Sequence, residues 1–319
     1  MGHIYQNPIF YNFVYAFHMP LFFIAAGWLY KTKSVKAYTI HRFFTVMIPY
    51  FSFGLLTLLY WQLIERHFRV SDMTFLQSLI GLIRGEYDFL DFNVHLWFLP
   101  CFYMTVVIYN GLRNTVGRSV TYIIAVVLST VYVFSVYWVA LPSLPWGLNR
   151  VCQYIGFYAI GNWMSEMRVN EKVELKPVWA VIATALLAVV LILSLLNLTS
   201  GIFWFITGTI GTVAVGIYSI LLSGTFNFKN LISFLGRISL VVLCVHGPVY
   251  RVVSKILSVV IGVVMHVEMD TDTVRSNFFF ALIIVAITLV ICELAYMVIN
   301  RVLPWMIGES KRSRKAILM

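Results

Sequence analysis

Between Lys176 and Lys229 the chain carries no Asp, Glu, Lys or Arg. At about 1.5 Å per residue, this tract of roughly 50 residues makes a helix longer than two bilayer cores of about 30 Å each. It must fold back on itself, and Asn197-Leu198-Thr199-Ser200-Gly201 supplies the turn. The rest of the chain matches: 11% of its residues are charged, against about 25% in ordinary globular chains. In hydrocarbon every backbone N–H and C=O must be satisfied within the chain, which leaves helices or closed barrels. The runs here are of helical length, so the fold class is an all-α polytopic membrane protein.

Apolar runs of spanning length fall at about 9–30, 43–64, 95–112, 119–141, 150–165, 178–197, 202–223, 234–256 and 277–303. That makes about nine transmembrane helices, the fifth short, in a single integral-membrane domain over 1–319 with no soluble module. Most of the 23 Lys and Arg collect on one side if the first connection is cytoplasmic: Lys31, Lys33, Lys36 and Arg42, then Arg113 and Arg118, Arg168, Lys172 and Lys176, Lys229 and Arg237, and the tail Arg301, Lys311, Arg312, Arg314 and Lys315. The other side takes Arg66, Arg69, Arg84, Arg150, Arg251, Lys255 and Arg275, with most of the acids. A cytoplasmic C-terminus follows, and nine spans then start the chain outside, in "MGHIYQN", which lacks a basic leader. An even number of spans with both ends inside inserts more easily, so a preceding first helix is expected to be absent from this chain.

The net charge of +10 is scattered in short segments between apolar runs, which argues for topology signals and against a nucleic-acid surface. Cys101, Cys152, Cys244 and Cys292 lie inside apolar runs without metal-ligand spacing, so neither a disulfide framework nor a bound metal is expected.

The groups able to do chemistry are polar residues inside these runs. His18 sits near mid-membrane in "YAFHMPLFFIAAGWLY", where an unpartnered polar group costs several kcal/mol. Tyr11, Tyr15 and His18 recur on one helical face, and Pro20 removes a backbone donor, so a kinked polar stripe is expected. A histidine that merely ties two spans together remains an equal reading. His246 in "LVVLCVHGPVY" repeats the theme, with Gly247-Pro248 expected to break the helix just after it. Arg251 and Lys255 follow, placed either to reach the membrane surface or to line a polar vestibule. Glu293 is the one acid well inside a run, either functional or paired with Arg251 or a histidine.

Outside, "RGEYDFLDFNVHLWFLP" mixes acids, His95 and rings including Trp97, a composition that suits a carbohydrate and equally an interfacial aromatic belt. Inside, "YKTKSVKAYTIHRFF" gathers Lys36, His41 and Arg42, which suits the phosphates of a nucleotide-bearing donor, orientation signals or anionic lipid.

These segments also carry a resemblance. "FVYAFHMPLFFIAAGWLY" is similar to the F-H-M-P-L-F-F-x-x-x-G-W/F-L stretch of the bacterial membrane acyltransferase family, acyltransferase 3, which includes surface-polysaccharide O-acetyltransferases and fucose O-acetylase-like proteins. "RFFTVMIPYFSF", "HLWFLPCFYM", "LPWGLNR" with "YAIGNW", and "FLGRISLVVLCVHGPV" resemble its later motifs in the family's order, over essentially the full chain. The resemblance implies ten spans with both termini cytoplasmic in a bacterial inner membrane. It implies acyl transfer, usually acetyl, from acetyl-CoA or another acyl-CoA to a hydroxyl of a surface or lipid-linked glycan. No resident cofactor is implied. The family's catalytic histidine, typically in Gly-His, matches His3 in "MGHIYQNP", whereas the arginine about ten positions earlier and its span have no match here. On this basis His3 and His18 are the catalytic candidates. Arg42 and Lys36 are assigned to the donor, and Trp97, His95, His246 and Glu293 to the acceptor or the path between the two. A polytopic transporter or flippase of a glycan precursor is the rival, since it too has intramembrane polar groups and a basic inner side.

Overall fold

The computed structural model describes residues 2–69, 71–138, 143–167, 178–223 and 226–308. The topology residues Arg168, Lys172, Lys176, Lys311, Arg312, Arg314 and Lys315 lie outside these. Among the described residues the chain is helical and contains no strand. The helices are α1 (Pro8–Tyr15), α2 (His18–Trp28), α3 (Val35–Arg42), α4 (Ile48–Leu63), α5 (Phe75–Arg84), α6 (Phe98–Thr115) and α7 (Gly117–Trp138). They continue as α8 (Leu148–Glu166), α9 (Val178–Leu195), α10 (Gly201–Leu222), α11 (Phe226–Met265), α12 (Thr271–Ser276) and α13 (Phe278–Val302). Short 3-10 turns at Glu65–His67, Tyr87–Phe89 and Asp91–Trp97 join α4, α5 and α6.

Eight helical stretches among the described residues are long and apolar enough to cross a membrane. The expected fifth span forms as α8 but is not one of them. Asn149, Arg150, Gln153, Asn162 and Glu166 make it too polar to face lipid, and the fold resolves this by enclosing it among α2, α6 and α7. The crossing of α2 with α8 is close because both helices put glycine at the contact. A Cβ on Gly27 would lie 2.0 Å from the Tyr158 carbonyl oxygen, and one on Gly161 1.9 Å from that of Ile24. Small residues that let backbones approach are the usual cement of helices in lipid, where no hydrophobic force separates core from solvent. Phe23 stacks on Tyr154 with centroids 4.3 Å apart in the same seam. Outward-facing Ile123, Val126, Val181, Phe279 and Val298 are exposed, as expected where hydrocarbon is the solvent.

α5 is the amphipathic exception. A capping box between Thr74 and Gln77 starts it and Gly85 ends it in a left-handed conformation, ten residues that lie along α4 without spanning. α4 holds it through the Tyr50 hydroxyl, which donates to the Leu82 carbonyl at 2.6 Å.

The alternation of the helices sorts the polar groups onto two ends. Lys31, Lys33, Lys36, Arg42, Arg113 and Arg118 share the basic end. There Glu166 accepts from Arg113 and Arg118, each at 2.7 Å. The opposite end carries the segment before α1, the 3-10 turns, the start of α8 and the α9–α10 turn.

Candidate active site

Four imidazoles meet at this opposite end. His3 lies 4.3 Å from His95, 5.5 Å from His246 and 6.0 Å from His18, measured between ring centroids, and His95 lies 4.2 Å from His246. The four catalytic or lining histidines that sequence placed far apart in the chain, His3, His18, His95 and His246, are therefore neighbours. His95 is buried at 7% exposure, while His3, His18 and His246 keep partial access to solvent.

Each imidazole is oriented by its own segment. α1 stops at Tyr15, two residues intervene, and α2 starts at His18, so Pro20 falls in a first turn where its missing N–H costs little. The expected stripe exists: Tyr11 stacks on Tyr15 at 3.8 Å and Tyr15 meets His18 at 4.5 Å. The His18 Nδ1–H donates to the Val14 carbonyl at 3.2 Å, and the His246 Nδ1–H donates to Val242 at 2.7 Å. Both bonds fix the tautomer and leave Nε2 unprotonated. His3 Nδ1 is hydrogen-bonded to the Tyr15 hydroxyl. Its backbone is clamped by Arg275 of α12, which donates to the carbonyls of His3 at 2.9 Å and Ile4 at 3.1 Å. His3 lies before the first spanning helix, and burial, then the charges of His246 and His18, hold its imidazole well below the usual range.

At His246 the structure corrects the sequence. α11 does not break after His246; it runs on through Pro248. Proline cannot donate to the carbonyl four residues back, Cys244, and the Asn93 side-chain amide supplies that bond instead at 2.7 Å. Asn93 is fully buried two residues before His95, so the same contact that repairs α11 brings His95 to His246. Gly247 makes room, because a Cβ there would lie 2.7 Å from His95 Nδ1 and 3.1 Å from Asn93 Oδ1.

A buried ion cluster supports this corner from behind. Glu65 is fully buried and pairs with Arg251 at 2.7 Å and Arg69 at 3.1 Å; Arg69 also reaches Asp91 at 2.5 Å, and Arg251 donates to the Phe92 carbonyl at 2.7 Å. Arg251 is thus neither a surface anchor nor the partner of Glu293. Glu293 is half-buried on α13, with no ion pair among the described residues, and does not join the histidines.

The donor candidates stand at the basic end. Arg42 lies over the Tyr38 ring at 5.1 Å with its Nε buried and without a partner, while Lys36 is exposed. The 11 residues from His18 to Trp28 separate the two ends by about 15 Å along α2. Trp97 lies near the histidines on the Asp91–Trp97 turn and faces Arg150. The residues that sequence reasoning missed are Tyr15 as a partner of His3, Asn93, Glu65 and Arg150. Pro248 signalled an orphaned Cys244 carbonyl, but nothing local named its donor.

Chemically, the cluster offers unprotonated ring nitrogens in a partly open setting, suited to taking a proton from an alcohol. The ring nitrogens of His3, His95 and His246 also lie within 4.8 Å of one another, a spacing that a transition-metal ion could close. The fold and this site define a polytopic helical membrane protein with a cluster of four histidines near one end of its bundle. The family model described as an acyltransferase domain, acyltransferase 3, matches residues 1–297. The chain belongs to that family and is a membrane acyltransferase. Neither the curated proteins nor the solved structures contain a match.

Proposed function

We propose that the protein transfers an acyl group, acetyl in the simplest case, from cytoplasmic acyl-CoA to a hydroxyl of a surface or lipid-linked glycan, with His3 as the general base. The observation that carries this reading is the meeting of His3, His18, His95 and His246 around an imidazole bonded to Tyr15. In the reactive tautomer the His3 Nδ1–H donates to the Tyr15 oxygen and Nε2 accepts the proton of the acceptor hydroxyl. The oxygen attacks the thioester carbonyl, the C–S bond breaks, and the imidazolium returns the proton to the leaving thiolate. The thioester is already activated, so positioning and one proton transfer supply what the reaction needs. His18 and His246 line the reacting centre, and His95 with Trp97 faces the acceptor. Arg42, with Lys36 beside it, receives the phosphates of the donor, whose long acyl-bearing arm spans the distance along α2. Orientation follows the charge bias, with the basic end and the C-terminus cytoplasmic in a bacterial inner membrane. Anionic and zwitterionic lipids contact the apolar girdle.

The test supplies labelled acetyl-CoA and glycan acceptor to membranes containing the chain or its variants. His3→Ala is expected to lose about 10²-fold or more in rate, the usual contribution of a positioned acid–base group, and His18→Ala to lose activity with insertion retained. Undiminished transfer by His3→Ala would remove the base assignment. A stoichiometric transition metal in the purified protein would instead make the cluster a ligand set. Glycan movement across vesicles without label transfer would favour the transporter.

A further inference from the structure

We propose that the cavity bordered by Trp97, at the end of the turn that carries His95, is the acceptor subsite and that Arg150 makes it select a sugar carrying an oxyanion, a carboxylate or a phosphate; this rests on the acyl-transfer reading above. The cavity has a volume of about 230 Å³ and is lined by Tyr87, Asp88, Trp97, Asn149 and Arg150, among others. That is below the ~300–1,000 Å³ of sites for drug-sized ligands, and is room for about one sugar ring. Trp97 lines the cavity and follows His95 by two residues, about 4 Å at 3-10 rise, so one short turn joins the cavity wall to the histidine corner.

The Arg150 guanidinium lies 4.6 Å from the ring centroids of both Tyr87 and Trp97. These cation–π contacts hold the guanidinium without using its N–H groups, which can bind carboxylate or phosphate with two parallel bonds. No carboxylate among the described residues takes those bonds. Of the acids that flank Tyr87, Glu86 is held by Arg84 at 2.7 Å, and Asp88 lines the cavity without an ion pair among the described residues. Asn149 uses its Oδ1 to accept from the Leu144 N–H at 3.4 Å, leaving its amide nitrogen to donate. A sugar hydroxyl has an acceptor in Asp88 and a donor in Asn149, and an oxyanion has Arg150.

The wall is built for this. Trp146 and Gly147 are both left-handed, with φ of 57° and 62°, and their turn starts α8 so that Asn149 and Arg150 fall in its first turn. A Cβ on Gly147 would press within 3.1 Å of Cys101, and the Trp146 indole donates to the Ile83 carbonyl at 3.0 Å, fixing the turn to α5 and α6. The positive end of the α8 dipole adds to the attraction for an anion.

The experiment uses the full chain in lipid nanodiscs with labelled acetyl-CoA and three probes: glucuronic acid, glucose 1-phosphate and glucose. Wild type is expected to favour at least one anionic probe over glucose by about tenfold, and which one is favoured separates a sugar acid from a sugar phosphate. Arg150→Gln is expected to collapse that ratio toward one, and Arg150→Lys to keep part of it. Equal use of all three probes by wild type, or an equal loss on all three in Arg150→Gln, would overturn the proposal. Quenching of tryptophan fluorescence by the probes, without donor, reads binding separately. Anion-selective quenching that disappears in Arg150→Gln, with no transfer to any probe, would sink the acyl-transfer reading and leave the subsite standing. Absence of selective quenching and of selective transfer would sink the subsite alone.

Discussion

At the scale of single residues, the site is a set of imidazoles whose protonation is decided by their neighbours. The Nδ1–H bonds of His18 and His246 to backbone carbonyls select the tautomer with a free Nε2. For His3, burial penalises the charged form, and the facing groups His18, His95, His246 and Arg275 add no acid that would favour it. The sign follows: a lowered pKa keeps His3 neutral and able to accept a proton at pH values where an ordinary histidine, near 6.5, is charged. The acid limb of the pH–rate profile is expected well below about 6.5. A limb at or above that value, moved by no change at His3, would show that another group is the base. His18 and His246 were legible because a polar residue beside proline inside an apolar run is costly without a purpose. His95 was legible only as one member of a mixed segment. Arg150 was counted as a topology charge, since its cation–π contact with Tyr87 and Trp97 joins parts of the chain that no local pattern connects.

At the scale of elements, α11 shows how a local signal can be right about the cause and wrong about the outcome. Pro248 does remove a hydrogen bond, yet the helix continues because Asn93 takes the vacated Cys244 carbonyl. Replacing Pro248 with Ala returns the backbone donor and releases Asn93. Proline inside a helix costs about 3 kcal/mol, so Pro248→Ala is expected to raise or hold the melting temperature while lowering the transfer rate, as His95 loses its register against His246. Thermal unfolding and activity measured on the same sample check this; unchanged activity would show that the Asn93 contact does not set the histidine geometry. α8 makes the complementary point. Its hydropathy marked it as a short span, because hydropathy reads contact with lipid, whereas α8 packs against other helices and can carry Asn162, which accepts from Tyr109 and Tyr122.

At the scale of the molecule, the histidine end is held together by Glu65, which ties the end of α4 to Arg251 within α11 and, through Arg251 and Arg69, to the turn before α6. Glu65→Gln leaves two arginines without their shared acid. The loss of one partner from a buried pair costs about 3–5 kcal/mol, so a clear fall in melting temperature is expected, partly recovered by adding Arg251→Met. A melting temperature unchanged in Glu65→Gln would mean that the cluster is solvated enough to be dispensable.

The primary structure alone determined that this chain is a bundle of membrane-crossing helices with a basic end, because apolar runs of helical length satisfy their own backbone in lipid and charges stay outside it, and that rule acts residue by residue. It also marked His3, His18 and His246 through motif and position. Only the tertiary structure decided that these histidines share one corner with His95, that Asn93 repairs α11, that Glu65 and not Glu293 pairs with Arg251, and that Arg150 lies against two rings with no ion pair among the described residues. Those contacts join segments far apart in the chain. Their geometry follows from how the helices pack, and periodicity within one helix carries no record of which neighbour it will meet.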